Sequence, residues 1–244
     1  VTVFNGQTQL SIKRARKISE TDVDPTNYLP CTNKNIDEMM MELTKFIAGV
    51  NNPYYKQVLT KLFIDNTEFA EAFKKHSAAK SVHHGFIGGL LEHTLSVAKM
   101  CDFFAKQYPI LNRDLLMTSA ICHDIGKVYE LSAFPANDYT DEGQLLGHIM
   151  IGAEMVGERT RQIPGFPVKL GNELKHCILA HHGELEYGSP KKPALLEAMA
   201  LNFADNADAK METMIEVLRG AGDNQGWLGY NRLLETNIRK TTEC

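Results

Sequence analysis

Nine histidines and thirty carboxylates are spread along this chain, and their places in the apolar pattern, more than their number, suggest chemistry. His93 falls on the stripe Leu90, Val97, Met100 and Phe104, so it points inward from a helix. A lone histidine on an apolar face is usually a hydrogen-bonded core residue. His123 and Asp124 stand at the C-terminal end of a helix that begins after Asn112, with Gly126 as its C′ residue and Lys127 beyond. Adjacent side chains diverge by about 100° on a helix, yet both can flank one ion just off its end, where the helix dipole favours a cation. His148 opens a further helix between Gly147 and Gly152, two glycines that permit close approach of backbone or ligand; a solvated N-terminal histidine is the alternative. His181 and His182 end a helix whose inward stripe is Leu174, Cys177 and Ile178. Asp205 lies within a long helix beside Ala198, Leu201 and Ala209, where an unpaired carboxylate would be costly to bury. Asp208, one turn on, leaves a solvated acidic face as the competing reading.

Five helices that each direct a His or Asp inward share one explanation, a cation at their centre, as in metal sites built from facing helices. Nitrogen and carboxylate donors without thiolate suit Mn, Fe, Co, Ni or Zn. The five cysteines form an odd set with no C-x-x-C pair, which argues against both a disulfide framework and a thiolate cluster. They are read as free thiols.

Mostly helical segments carry these residues. Ile36, Met40, Leu43 and Ile47 make one apolar stripe, closed by Asn51-Asn52-Pro53; Tyr55, Val58, Leu62 and Phe63 make the next. Further helices are predicted around 67–75, 89–104, 114–125, 148–159, 170–182 and 193–218. No βαβ alternation, glycine-rich phosphate loop or repeat interrupts the series, so the body is predicted to be all-α. Ahead of it, Asn5-Gly6 between two β-rich segments predicts a hairpin over residues 1–19. Residues 20–35 read as a linker, 36–220 as the helical domain and 221–244 as a C-terminal tail. With 244 residues, 43% hydrophobic and 23% charged, the chain has the make-up of a globular protein. No apolar run is long enough for a membrane span, and the default compartment is the cytoplasm. Residues 1–19 hold Lys13, Arg14, Arg16 and Lys17 and no acid, whereas the rest is acidic within a net charge of -4. The front end is therefore the part suited to a polyanion, and Lys13, Arg14 and Arg16 are candidate substrate contacts.

His93, His123-Asp124, His148, His181-His182 and Asp205 follow, in order, a pattern that resembles the H…HD…H…HH…D signature of HD-domain metal-dependent phosphohydrolases in its two-metal form. The surrounding words Gly88-Gly89-Leu90-Leu91-Glu92-His93-Thr94, His123-Asp124-Ile125-Gly126-Lys127, Gly147-His148-Ile149, His181-His182-Gly183 and Ala204-Asp205-Asn206-Ala207-Asp208-Ala209-Lys210 resemble the YhaM-type 3′-to-5′ exoribonucleases. The resemblance implies an all-α HD-domain bundle, with the hairpin as the last strands of a truncated OB-fold. It further implies two divalent ions, Mn²⁺ first among them, with Asp124 bridging. His93, His123 and Asp205 would complete one site; His148 and His181 would belong to the second, with His182 an extra ligand. Lys127 would meet the phosphate beside the catalytic Asp124. Single-stranded RNA is the implied partner, with single-stranded DNA as a second substrate and homo-oligomerisation left open. Two alternatives stand beside this: a phosphohydrolase for small nucleotides or cyclic dinucleotides, because a metal site specifies phosphoester chemistry and not polymer length, and a nucleic-acid-binding regulator. His83 and His84 are read as a hydrated loop rather than a channel lining. Tyr187 and Trp227 are candidates for base stacking, with core packing equally open.

Overall fold

The computed structural model describes residues 2–4, 7–9, 12–16, 29–80 and 84–242. Strands β1 (Thr2–Phe4) and β2 (Gln7–Gln9) pair antiparallel, with Phe4 opposite Gln7; Asn5 and Gly6 lie outside the described residues. The helical body then comprises α1 (Ile36–Ala48), α2 (Pro53–Phe63), α3 (Thr67–Lys75), α4 (Gly89–Gln107), α5 (Arg113–Cys122), α6 (Lys127–Glu130), α7 (Asp141–Arg161), α8 (Val168–Ala180) and α9 (Leu196–Gly220). Asparagine starts four of them: Asn35, Asn52, Asn66 and Asn112 each accept hydrogen bonds from backbone N–H groups of the following turn. These are the donors that an α-helix leaves unpaired at its N-terminus. Thr140 does the same for α7 through Gly143.

Helix α5 forms the centre of the bundle, with every residue from Leu115 to Cys122 buried. Its uniform burial follows from neighbours on several sides, because α4, α8, α9 and α2 all pack against it. Cys101, Cys122 and Cys177 are buried free thiols in this core and Cys31 is also free; Cys244 lies outside the described residues. The segment read as a linker is part of the body at its C-terminal end: Ile87 N–H donates to Pro30 O and Thr32 N–H to Ile87 O, both at 2.9 Å.

Two differences from the sequence expectation matter for the site. Helix α7 begins seven residues earlier than the apolar pattern placed it and is broken at Gly147 (φ 71, ψ 157), so His148 still opens a helical segment. The region read as a tail folds into a second hairpin, β3 (Trp227–Asn231) with β4 (Thr236–Arg239). Its alternation is obscured in the sequence by a register shift between Trp227 and Gly229.

Candidate metal centre

His93 comes from the second turn of α4, His123 and Asp124 from the turn after α5, and His148 from the segment after the α7 kink. His181 and His182 follow α8, and Asp205 lies within α9. Gly126 does not act as a left-handed C′ residue, since its φ is -64. Its role is proximity: a Cβ there would lie 2.0 Å from the carbonyl oxygen of His148. The bare backbone lets α7 approach the turn that carries Asp124, and this brings His148 to it.

The five imidazoles are oriented alike. Nδ1 faces a fixed acceptor in each: Asp208 Oδ2 at 2.7 Å for His93, Ala120 O at 2.8 Å for His123, Glu130 Oε1 at 3.0 Å for His148, Ile178 O at 2.7 Å for His181 and Tyr187 O at 2.9 Å for His182. An N–H on Nδ1 leaves the Nε2 lone pair for the interior, the tautomer of a metal-ligating histidine. Two clusters result. In the first, His93 Nε2 lies 3.1 Å from His123 Nε2, 3.2 Å from Asp205 Oδ1 and 3.4 Å from Asp124 Oδ2. Donors about 2.1 Å from an ion stand roughly 3.0–3.4 Å apart in octahedral or tetrahedral arrangements, so these spacings fit one cation. In the second, Asp124 Oδ1 lies 3.4 Å from His148 Nε2 and 3.7 Å from His181 Nε2. All three atoms are buried without a hydrogen-bond partner, and His182 joins the two histidines within ligand reach. Orphaned acceptors gathered at one point are expensive unless a cation satisfies them. The donor set therefore fits divalent metal, and the two oxygens of Asp124 face different clusters.

The electrostatics of the carboxylates and of the second cluster's His181 and His182 agree. At His93, by contrast, burial is outweighed by Asp124, Asp205 and Asp208 together, which hold its pKa well above an ordinary imidazole; a cation in the first cluster would replace that proton. Burial opposes the Asp124 carboxylate, yet Lys127, with Nζ 2.7 Å from Oδ2, and His123 outweigh it and hold the pKa well below the usual range. Burial of Asp205 is likewise outweighed, by His93 and His123, and its pKa is lowered. Burial and then the neighbouring His182 depress His181 well below an ordinary imidazole. Burial, followed by His148, lowers His182. Ionised carboxylates and neutral imidazoles are the states that bind metal.

A cavity of about 620 Å³ opens on this centre, reached by His93, Asp124, Lys127, His182 and Asp205. The structure thus brings together His93, His123, Asp124, Lys127, His148, His181, His182 and Asp205. Lys13, Arg14 and Arg16 are exposed and are not among the residues lining that cavity. One expectation changes and two open alternatives close. Asp208 is no solvated acid: it is 8% exposed and bonds His93 and His84, the latter at 3.0 Å from Nε2. His84 is not in a hydrated loop either, being 1% exposed at φ 60, a backbone state uncommon outside glycine; His83 lies outside the described residues. Tyr187 and Trp227 are 69% and 66% exposed, so neither packs in the core, and Tyr187 borders the cavity. Asp208 and Glu130 were the functional residues missed. Asp208 carried a signal, since it is one turn from Asp205 on the buried face of α9; Glu130 carried none, because its role depends on how α6 meets α7.

The HD domain family matches residues 90–210, a span that contains every residue of both clusters. The 3′-5′ exoribonuclease YhaM of Bacillus subtilis (strain 168) is 39% identical over 221 residues, which cover 88% of this chain and 68% of that protein. The namesakes of Geobacillus sp. (strain WCH70) and Listeria innocua are 37% and 36% identical over 88% of this chain, and it covers 65% and 68% of their lengths. The chain thus spans about two thirds of the curated relatives it matches, and no solved structure matches it. It belongs to the HD-domain family of YhaM 3′-5′ exoribonucleases.

Proposed function

We propose that this chain is a metal-dependent 3′-to-5′ exonuclease that hydrolyses phosphodiester bonds of single-stranded RNA, and secondarily of single-stranded DNA, with two divalent ions, Mn²⁺ foremost. The observation that carries the reading is Asp124, whose Oδ2 faces the His93–His123–Asp205 cluster while Oδ1 faces His148 and His181. His93, His123, Asp205 and Asp124 would hold one ion, and His148, His181, His182 and Asp124 the other. When bound, such a pair supplies Lewis acidity and an activated water for attack on phosphorus. The chain's own groups do the rest. Asp124 keeps its charge through the Lys127 contact, and Lys127, at the cavity wall, offers a point charge to a phosphate oxygen. Glu130 and Asp208 fix the rings of His148 and His93. Exposed Lys13, Arg14 and Arg16 are suited to phosphates farther along the strand.

The names of the relatives support this reading, since each is a 3′-5′ exoribonuclease. End-labelled RNA incubated with Mn²⁺ tests it beside a panel of mononucleotides and cyclic dinucleotides. A ladder shortening from the 3′ end is the expected result. Turnover of the nucleotides with intact RNA would make the protein a small-nucleotide phosphohydrolase, and RNA binding without metal-dependent turnover would make it a regulator.

A further inference from the structure

The catalytic cavity has a wall that does not come from the helical bundle. Leu233, Leu234 and Glu235, at the tip of the β3–β4 hairpin, line the same cavity as His93, Asp124 and Asp205, and Tyr187 and the α9 residues Asn206 and Lys210 line it too. The tip is held in shape. Asn231 Oδ1 accepts from the backbone N–H of Leu233 at 2.9 Å and of Leu234 at 3.0 Å. Glu235 takes a left-handed backbone, φ 51, and Ile238 beside it is buried. At the other end Lys240 N–H donates to Gly226 O at 3.1 Å. A turn stiffened in this way is suited to presenting fixed side chains to a ligand.

Resting on the exonuclease reading above, we propose that this hairpin tip is the end-stop of the substrate cleft: it closes the cavity around the 3′-terminal nucleotide and so restricts cleavage to strand ends. An endonuclease needs a groove open on both sides of the scissile phosphate; an exonuclease needs one side to finish. Leu233, 63% exposed, and Tyr187 offer apolar faces to a sugar or base, which gain by leaving water. Lys210 suits a phosphate. Glu235 provides the discrimination, because a carboxylate accepts hydrogen bonds from terminal ribose hydroxyls but repels the phosphate of any strand that continues past it. Arg232, the other charged residue of the tip, is not among those lining the cavity.

The test compares three RNAs of one sequence, a linear 3′-hydroxyl form, a linear 3′-phosphate form and a circle, with wild type and with Glu235→Gln, Leu233→Trp and a tip shortened to Asn-Gly. Wild type should degrade the 3′-hydroxyl strand, slow on the 3′-phosphate and spare the circle. Glu235→Gln should narrow the hydroxyl-to-phosphate ratio by on the order of five- to tenfold, the scale of one charge–charge contact at about 4 Å in water, as suits an exposed side chain. Leu233→Trp, an exposed substitution compatible with folding, should slow removal of 3′ purines more than pyrimidines by filling the pocket. The shortened tip should begin to cut circles. Circle cleavage by wild type at the linear rate, or a ratio unmoved by Glu235→Gln, overturns the end-stop. If wild type releases nothing from the linear 3′-hydroxyl strand, the exonuclease reading itself fails instead.

Discussion

Replacing Asp208 by Asn asks whether a carboxylate that touches no substrate controls the first metal cluster. Asp208 Oδ2 accepts from His93 Nδ1 at 2.7 Å and from His84 Nε2 at 3.0 Å, and all three side chains are buried. Asn keeps the volume and one acceptor but removes the charge that fixes the His93 tautomer and raises the basicity of Nε2. Loss of such an outer partner typically weakens metal affinity about 10–100-fold, or about 1.4–2.8 kcal/mol. Asp208→Ala adds a second penalty, because two ring nitrogens lose their acceptor in the interior, at about 1–3 kcal/mol for each group left unsatisfied. The assay is Mn²⁺ titration by calorimetry, read beside nuclease rates at limiting and saturating metal, with circular dichroism as the folding control. Asp208→Asn should bind one of two ions more weakly and regain most of its rate when Mn²⁺ is raised. Glu130→Gln should weaken the other ion through His148, and the double variant should weaken both. Wild-type affinity in Asp208→Asn, or a rate deficit that no excess of metal relieves, would refute the orienting role.

Asp124→Ala, which removes the carboxylate shared by both clusters but little packing volume, should cut turnover at least about a thousandfold, more than loss of one electrostatic stabiliser costs, while the far-ultraviolet spectrum stays helical. Retained activity would contradict the metal centre. After chelation, Mn²⁺ or another transition metal should restore hydrolysis and Ca²⁺ should not, since imidazole-rich sites disfavour a hard oxygen-seeking ion; equal rescue by Ca²⁺ would sink the ligand assignment. Away from the site, burial opposes the Asp102 carboxylate but Lys106 at 2.6 Å and Arg113 at 2.7 Å outweigh it and lower its pKa. The unfolded chain then binds the proton more readily, so the stabilisation is present above the unfolded value of about 3.9 and is lost as pH falls through the lower folded one. Asp102→Asn should therefore lower Tm by a few degrees near neutrality, with a gap that closes in acid; an equal gap at both pH values would contradict the ion-pair account.

The helices and the ligand types were legible in the linear chain because both depend on short-range periodicity. Stripes such as Tyr55, Val58, Leu62 and Phe63 identify a buried face whatever it packs against, and His93 announced its inward direction by sharing one. The order of His and Asp along five helices points to a cation independently of any distance. Long-range packing sets where side chains from elements distant in sequence meet. Asp208 could be a solvated acid or a buried anchor; α4 packing on α9 brings His93 to it and the turn ahead of α4 brings His84, which selects the anchor. The closeness of His148 to Asp124 depends on a glycine at 126 that admits α7, a contact that no local pattern encodes. The second hairpin was invisible because a register shift breaks the period-two signal on which strand recognition rests. Its arrival at the cavity wall is a long-range packing outcome: local propensity sets what each segment becomes, and burial of their shared surfaces sets which segments face one another.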